Sequence, residues 1–541
     1  MSTQITATEL ARAIGIGFEP TPQQWRCISA PLGPSVVIAG AGSGKTTLMA
    51  LRVSYLVLTG QVHPDQVLGL TFTTKAAAEL RNRIHAALSR ASVLQDSEGG
   101  ELVGPTVATY NAYAANLLAE HGLRIGHEPD TRVISSGAGF QLAQRAISRH
   151  RGRVTKLSDH PATVISYLLQ LDGMLSEHLV APEQVLAFDE TARSGFHRAL
   201  LEEQAGRNRK SYVDPIQAAL TTIERRRELL GLVTDYRELK AQLGFMDFGD
   251  QISLAAELAS QHPDVGARER EKFPVVLLDE YQDTSVSQAI LLAALFSGPP
   301  DAGLGHAVMA VGDPNQAIYG WRGASVSNIL HFERSFPGIG GEVPVYSLSV
   351  NQRSDQRILE TANALAKPLL ARAAQVPPLE AAPGRKNGTI RVNVFASLEQ
   401  ELDWVAAEVK RAHTTAWSDI GVLVRDNQTA ATTYDHLTAL GIPVEIVGLS
   451  GLLRLPEIAE VVATMQLLQS VTANSAVLTL LTGPRWSIGP RDLHLLAQRA
   501  QELAGSPIRR EVLTPEQQLA RIAAGQDETE LPALTDALDD P

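Results

Sequence analysis

The sequence predicts an α/β protein built on a parallel sheet, with a phosphate-binding loop at the sheet's edge and helical insertions between strands. Three observations carry that reading. A short apolar run, Ser35-Val36-Val37-Ile38-Ala39, ends in Gly40-Ala41-Gly42-Ser43-Gly44-Lys45-Thr46-Thr47 and leads into an apolar helical pattern from Leu48 to Leu58. Two further buried-type strands, Pro274–Leu278 and Ala307–Val311, end in acids, Asp279-Glu280 and Asp313. From about Ala112 to Leu243 the pattern is helical, with few strand signals. Buried strands with polar residues at their carboxyl ends describe an open parallel sheet with its site along one edge.

The remaining elements follow in order. Val67–Thr71 reads as a second strand and Lys75–Leu88 as a strong helix. Phe245–Asp250 returns the chain from the helical insertion to the sheet. Val343–Leu348 is expected to open a second α/β set, with Arg391–Phe395 and Ile420–Val424 as its further strands. A proline- and glycine-rich stretch, Gln375–Gly388, is a loop within that set, and from Pro456 the pattern is helical.

Composition limits what such a chain can do. With 541 residues, roughly three or four domains are expected. Lys and Arg total 47, Asp and Glu 59, for a net charge of -12. That balance excludes coating of nucleic acid by bulk charge, though not a local basic groove. From Glu511 to Pro541 there are eight acids and one base, so the rest of the chain carries only -5 of the -12. A single cysteine, Cys27, excludes an internal disulfide or a thiolate zinc cluster. No apolar stretch approaches the ~18 residues that a membrane span needs, and the start lacks the apolar core of a signal peptide. A cytoplasmic protein with no membrane partner is expected.

The segment Ala39–Thr46 matches a phosphate loop, with Ala39 where the strict pattern has its first glycine. Backbone N–H groups of Gly40, Ala41, Gly42, Ser43 and Gly44 would cradle phosphate oxygens, helped by the helix N-terminus. Lys45 would reach the β and γ phosphates and the Thr46 hydroxyl would hold Mg²⁺. Asp279 is the partner acid for the metal, and Glu280 suits the task of orienting or deprotonating the attacking water. ATP and Mg²⁺ are therefore the expected ligands.

Longer motifs carry a resemblance. Asp279-Glu280-Tyr281-Gln282-Asp283-Thr284, Thr71-Phe72-Thr73-Thr74-Lys75-Ala76-Ala77-Ala78-Glu79-Leu80 and Val311–Ala324, with its Gly320-Trp321-Arg322-Gly323, resemble superfamily I DNA helicases of the UvrD/Rep/PcrA type. Gly483–Leu493 resembles the actinobacterial, AdnAB-like branch. The resemblance implies a motor of two RecA-like domains that hydrolyses ATP and moves 3′ to 5′ on single-stranded DNA, unwinding duplex in repair or recombination. It implies that Gln24 reads adenine, that Gln316 senses the γ-phosphate, and that Arg353 is an arginine finger from the second domain. Phe72, Tyr110, Asn111, Tyr319, Trp321 and Arg322 are the implied DNA contacts. Stacking bases on such aromatic and guanidinium groups is worth about 1–3 kcal/mol per base and tolerates any sequence. Arg145, Arg149, Arg151, Arg153 and Lys156, with no acid between Gln141 and Ser158, are a candidate contact to phosphates.

The implied layout is a first motor domain at 1–110 and 245–342, a helical insertion at 111–244, the N-terminal part of a second motor domain at 343–455, and the start of a second insertion at 456–541. Three positions depart from the family pattern: Gln352 replaces an aromatic that stacks on adenine, Thr47 an arginine, and Asn111 a histidine. The family's last two motifs and a nuclease module are not found, so the chain is expected to be an N-terminal fragment or a truncated product. Such a chain would bind ATP·Mg²⁺ with little turnover. The partners implied are single-stranded and junction DNA and a helicase–nuclease subunit. The competing reading is a non-catalytic DNA-binding subunit of such a complex.

Overall fold

The computed structural model describes residues 5–91, 104–128, 131–158, 160–298, 304–370, 376–446, 456–469, 471–504 and 532–540. Most of the acidic run counted above, 511–531, lies outside them. The chain divides into two compact units, Met1–Ile390 and Arg391–Pro541.

In the first unit, helices α1 (Ala7–Ala13) and α2 (Pro22–Ile28) precede strand β1 (Ser35–Ala39). Next come α3 (Lys45–Leu58), β2 (Val67–Thr71), α4 (Thr74–Arg90), β3 (Thr106–Thr109) and α5 (Tyr110–His121). An excursion follows through β4 (Arg132–Val133), α6 (Ser136–Arg149), α7 (Pro161–His178), α8 (Pro182–Ala205), α9 (Lys210–Gln242) and β5 (Phe245–Met246). The chain then returns through α10 (Phe248–Gln261), α11 (Pro263–Lys272), β6 (Val275–Leu278), α12 (Val286–Phe296), β7 (Ala307–Gly312) and β8 (Val345–Leu348). Two short strands, β9 (Val350–Asn351) and β10 (Glu380–Ala381), pair with each other.

The six main strands lie in the order β3-β2-β6-β7-β1-β8, each parallel to its neighbour. This is the predicted α/β class. Every residue of β1, β2 and β6 is buried, as expected of strands covered on both faces. Alternation divides β1 between two cores. Val36 and Ile38 join Tyr113, Leu117, Ile252 and Leu292 beneath α5, α10 and α12. Val37 and Ala39 join Leu48, Met49, Leu80 and Ile84 beneath α3 and α4. The carboxyl ends of β1, β6 and β7 therefore open along one edge, where the Gly-rich loop, Asp279-Glu280 and Asp313 begin.

Three boundaries differ from those expected. Tyr110, Tyr113, Leu117 and Leu118 sit in the sheet's own core, so α5 belongs to the sheet and the helical excursion starts after it. Its separate core, around Leu142, Leu168, Val233 and Tyr236, is built by α6, α7 and α9. Val345–Leu348 does not open a second sheet. It extends the first one beside β1, because Leu348 and Tyr346 find their apolar partners there. Arg391–Phe395 and Ile420–Val424 have no strand partner among the described residues, and Val394 and Leu423 are 94% and 99% exposed. Alternating apolar residues favour a strand only where a neighbour supplies the ladder. In that second unit the described residues form helices with small cores around Ala406 and Leu437, and around Val477 and Leu534. Among the described residues no helix is long and apolar enough to cross a membrane.

A buried charge cluster fastens the helical excursion to the sheet domain. Lys240 of α9, 3% exposed, pairs with Asp172 of α7 at 3.3 Å, Asp247 at 2.8 Å and Asp250 of α10 at 2.7 Å. Arg237 also pairs with Asp172 and donates to the Ser176 hydroxyl. Burial opposes the Lys240 charge, but Asp172, Asp250 and Asp247 outweigh it and hold its pKa above the ordinary value. A raised lysine pKa stabilises the fold below its unfolded value and is lost only as pH rises through the folded one, so the clasp persists across neutral pH. Lys240→Met leaves Asp247 and Asp250 without their cation and Asp172 with Arg237 alone. It should lower stability by about 3–5 kcal/mol in urea unfolding, and a loss below about 1 kcal/mol would show the cluster to be incidental.

Candidate functional site

The loop after β1 is shaped by two glycines in the left-handed region, Gly42 (φ 66°) and Gly44 (φ 87°). A Cβ on Gly42 would meet the Asn351 amide at 2.6 Å, so a side chain is excluded there. Gly44 is the N-cap of α3 and supplies no side-chain cap, leaving the first N–H groups of that helix for an anion. The Ser43 hydroxyl is buried with no hydrogen-bond partner. An orphaned donor beside uncapped N–H groups fits a phosphate-bearing ligand. The cradle is narrower than the motif suggests. Ala39 is fully buried in the strand, and the Gly40 N–H already donates to Leu348 O at 3.0 Å.

Gln24 does not present its amide outward to read adenine. It is 6% exposed; its Oε1 accepts from Thr21 N at 3.0 Å and its Nε2 donates to Ser43 O at 3.0 Å. Both ends hold the phosphate loop and the α2 cap. The next strand grips the same loop from the other side. Asn351 Nδ2 donates to Ala41 O, Gln352 N to Gly42 O, and Asn351 Oδ1 accepts from the N–H groups of Arg353 and Ser354. Arg353 thus sits in the same compact unit as the loop, two residues from its tether, with its side chain exposed. At Thr47, where the family arginine is missing, Arg83 of α4 donates to the hydroxyl at 2.9 Å.

Facing the loop is the end of β6. Asp279 is 3% exposed, its N–H donates to Leu70 O, and its Oδ2 accepts weakly from the Thr71 hydroxyl at 3.4 Å. Burial, then the Glu280 charge, push its pKa from 3.8 up to about 6 against the pull of Lys45. Glu280 has a left-handed backbone (φ 47°), which for a non-glycine residue stores roughly 1–3 kcal/mol of strain. That turn aims its carboxylate across the cleft, where Oε2 meets Lys45 Nζ at 2.7 Å. The Thr46 hydroxyl and the Asp279 carboxylate are hard oxygen donors of the kind Mg²⁺ takes together with phosphate and water. Among the described residues no three His, Cys, Asp or Glu side chains gather to hold a metal by themselves.

From Glu280 a chain of hydrogen bonds leads away from the loop. Gln282 Nε2 donates to Glu280 Oε2 at 2.9 Å, and Asp313 N donates to Gln282 Oε1 at 2.9 Å. Gln316 Nε2 then donates to Asp313 Oδ2 at 2.7 Å. Three residues after Gln316 comes Tyr319, whose ring stacks on Phe72 at 4.8 Å and lies 6.5 Å from that of Trp321. Trp321 is 74% exposed. The sequence-predicted aromatics from two distant segments therefore meet in one row. The Arg322 side chain lies outside what the structure describes.

Tyr110, expected as a DNA contact, is not exposed: it is 3% accessible and its hydroxyl donates to Asp279 O at 2.9 Å, so it props the turn after β6 from inside the core. Asn111 is half-buried beside Phe248 O and Gln288, at 3.4 and 3.5 Å. Arg145, Arg149, Arg151, Arg153 and Lys156 are exposed on α6 and the turn after it. That turn is fixed by a 2.7 Å His150–Asp235 contact and by Glu228 accepting from Thr155 N and Lys156 N. Sequence reasoning missed Gln282 and Asn351 as linking residues. Both stand inside quoted motifs, yet their roles depend on contacts between distant segments.

Asp279 gives a measurable consequence. Because its folded pKa is raised, its favourable contribution is present below about pH 4 and is lost as pH rises through about 6. At neutral pH the buried charge then costs roughly 3 kcal/mol in the absence of metal. Asp279→Asn should raise the calorimetric unfolding midpoint in EDTA at pH 7.5, with a gain that shrinks towards pH 4.5. Destabilisation at pH 7.5 would contradict this account.

The UvrD/REP helicase N-terminal domain matches residues 20–337, and the UvrD-like helicase C-terminal domain matches residues 346–506. The chain is 28% identical over 484 residues to an ATP-dependent DNA helicase PcrA of Leuconostoc citreum, covering 89% of this chain and 57% of that protein. It is 27% identical over 487 residues to DNA helicase II of Escherichia coli K12, covering 89% and 58%. Against ATP-dependent DNA helicase UvrD1 of Mycobacterium leprae it is 27% identical over 482 residues, covering 87% and 55%. The chain thus spans little more than half the length of these curated relatives. With more than half of its residues matched to the N-terminal domain, the chain belongs to the UvrD/REP helicase family.

Proposed function

We propose that this chain is the ATP-driven motor region of a DNA helicase that moves 3′ to 5′ on single-stranded DNA and opens duplex during repair or recombination in the cytoplasm. The observation that carries the reading is the continuous path Lys45–Glu280–Gln282–Asp313–Gln316, which ends three residues before the aromatic row. It supplies a physical link between a nucleotide site and a DNA-stacking surface. The polarity rests on family likeness. Membership of an AdnAB-like branch, with a helicase–nuclease partner subunit, is the finer proposal suggested by Gly483–Leu493.

In this reading Lys45, Thr46 and the uncapped N–H groups of α3 hold the phosphates of ATP, and Asp279 with the Thr46 hydroxyl holds Mg²⁺. A bound Mg²⁺ supplies neutralisation of charge on the phosphate oxygens. A phosphate beside Lys45 would compete with Glu280 for its ammonium. Turned to phosphate, it leaves the Glu280 carboxylate without its cation and better able to accept a proton from water at Oε2. Gln282 and Gln316 carry the rearrangement along their hydrogen bonds to the 319–323 turn. Arg353, tethered through Asn351 to the loop, is the cation available for charge on the transferring phosphoryl group.

The competing reading, a non-catalytic DNA-binding subunit, draws on the Gln24 amide, both ends of which hold the loop, and on the missing aromatic at Gln352. Hydrolysis separates the two. The parent chain should show low but measurable ATP turnover with single-stranded DNA present. Lys45→Ala and Glu280→Gln should each lower turnover at least about a hundredfold, with Glu280→Gln still binding nucleotide. A parent with no turnover at any DNA concentration supports the binding subunit. Trp321→Ala should weaken binding to a labelled oligothymidine by about five- to a hundredfold, as loss of one stacking platform implies. Unchanged binding would remove the aromatic row from the DNA site.

A further inference from the structure

One half-buried acid of the helical excursion, Glu177, has no role in the proposed nucleotide site and lies against the aromatic loop. Glu177 is in the last turn of α7, where the helix dipole disfavours a negative charge. Burial also disfavours it and raises its pKa, against hydrogen bonds from Ser285 and Ser287. Among the described residues no Lys or Arg pairs with it. Among the described residues, neither helix stability nor an ion pair accounts for an acid at this position.

Its contacts do. Ser287 Oγ donates to Glu177 Oε2 at 3.4 Å, and Ser287 and Ser285 share a hydroxyl contact at 2.9 Å. Ser285 also bridges Ala324 in the backbone, and Ser325 N donates to Thr284 O at 3.0 Å. The stem of Glu177 lies on Gly323, where an added Cβ would stand 2.7 Å from Glu177 Cβ. Gly323 has a left-handed backbone (φ 77°) and closes the turn that carries Trp321. Glu177 therefore touches both sides of that turn: the glycine that shapes it and the serines that anchor its exit. One turn back on α7, Asp172 and Ser176 are held by Arg237 and Lys240. The acid's place is thus fixed by the clasp that fastens the excursion to the sheet.

We propose that Glu177 is a positioning residue for the Gly320–Gly323 turn, through which the helical excursion sets how Trp321 is presented to single-stranded DNA. The DNA consequence rests on the motor reading above; the positioning does not.

The test uses the full chain carrying Glu177→Ala, Glu177→Gln and Trp321→Phe, alone and combined. Trp321 emission is read as the difference between each protein and its Trp321→Phe counterpart. Affinity is read from the anisotropy of a labelled oligothymidine, and nucleotide affinity from a fluorescent ATP analogue. Glu177→Ala should shift Trp321 emission and weaken oligothymidine binding roughly three- to tenfold, as loss of one hydrogen-bonded support implies. Nucleotide affinity and the unfolding midpoint should stay at parent values. Glu177→Gln keeps an acceptor for Ser287 and should restore binding to within about twofold of the parent. In the Trp321→Phe background Glu177→Ala should add little, the signature of two residues acting through one contact. Unchanged Trp321 emission in Glu177→Ala overturns the proposal, as does an equal loss of affinity in the Trp321→Phe background. A parent that binds no oligothymidine overturns the motor reading instead, and the emission shift still decides the positioning.

Discussion

The arrangement turns on one oxygen. Glu280 Oε2 accepts from Lys45, at the start of α3, and from Gln282, whose other end receives Asp313. The two donors reach it from different segments, the start of α3 and the turn after β6, so neither can move without changing what the other meets. The left-handed backbone at Glu280 makes the meeting possible, because an extended residue there would continue the strand instead of turning the carboxylate across the cleft. The stored strain is held by its surroundings. Tyr110 grips the Asp279 carbonyl from the core, and Gln282 and Asp283 are buried just beyond. A turn so constrained has few alternative positions, which under the proposed function would let a change at Lys45 reach Gln316 rather than dissipate locally.

How much of this the chain discloses before folding depends on the range of the interaction. The Gly-rich loop between β1 and α3 and the acids at the end of β6 are legible as local features because strand, loop and helix are consecutive, whereas Gln316 is singled out only by its likeness to the family motif. Gln24 is misjudged for the same reason in reverse. Its amide has competing partners, and proximity to Thr21 N and Ser43 O wins over an outward pose. Tyr110 reads as an available aromatic, yet it begins a helix whose Tyr113, Leu117 and Leu118 commit it to the sheet's core. Val345–Leu348 reads correctly as a strand but is placed in the wrong sheet, since only the register beside β1 decides its neighbour. The stacking of Phe72 on Tyr319 joins segments whose separation no local pattern bridges.

The helical excursion takes on a different meaning once its contacts are known. Helices α6, α7 and α9 enclose a core of their own, so they could have been a passive attachment. Two features argue otherwise. The clasp around Lys240 joins two buried charged side chains, Lys240 and Asp172, to the half-buried Asp247 and Asp250, where they give little net stability compared with apolar packing but tolerate few other geometries. It fixes α7 at the turn just before Glu177, and Glu177 lies where the aromatic loop leaves the sheet domain.

The two ends of the aromatic loop are consequently governed from opposite directions. Its start follows Gln316 and is tied through Asp313 and Gln282 to the carboxylate facing Lys45. Its end, at Gly323 and Ala324, is tied to Ser285 and Glu177. A loop held only at the nucleotide end would follow Lys45 as a rigid body and carry Trp321 with it. Held at both ends, it can accommodate such a movement only between Tyr319 and Gly323, the stretch that carries Trp321, the most exposed ring of the row. A small displacement at Gln316 then becomes a change in ring angle, and stacking energy depends on ring angle.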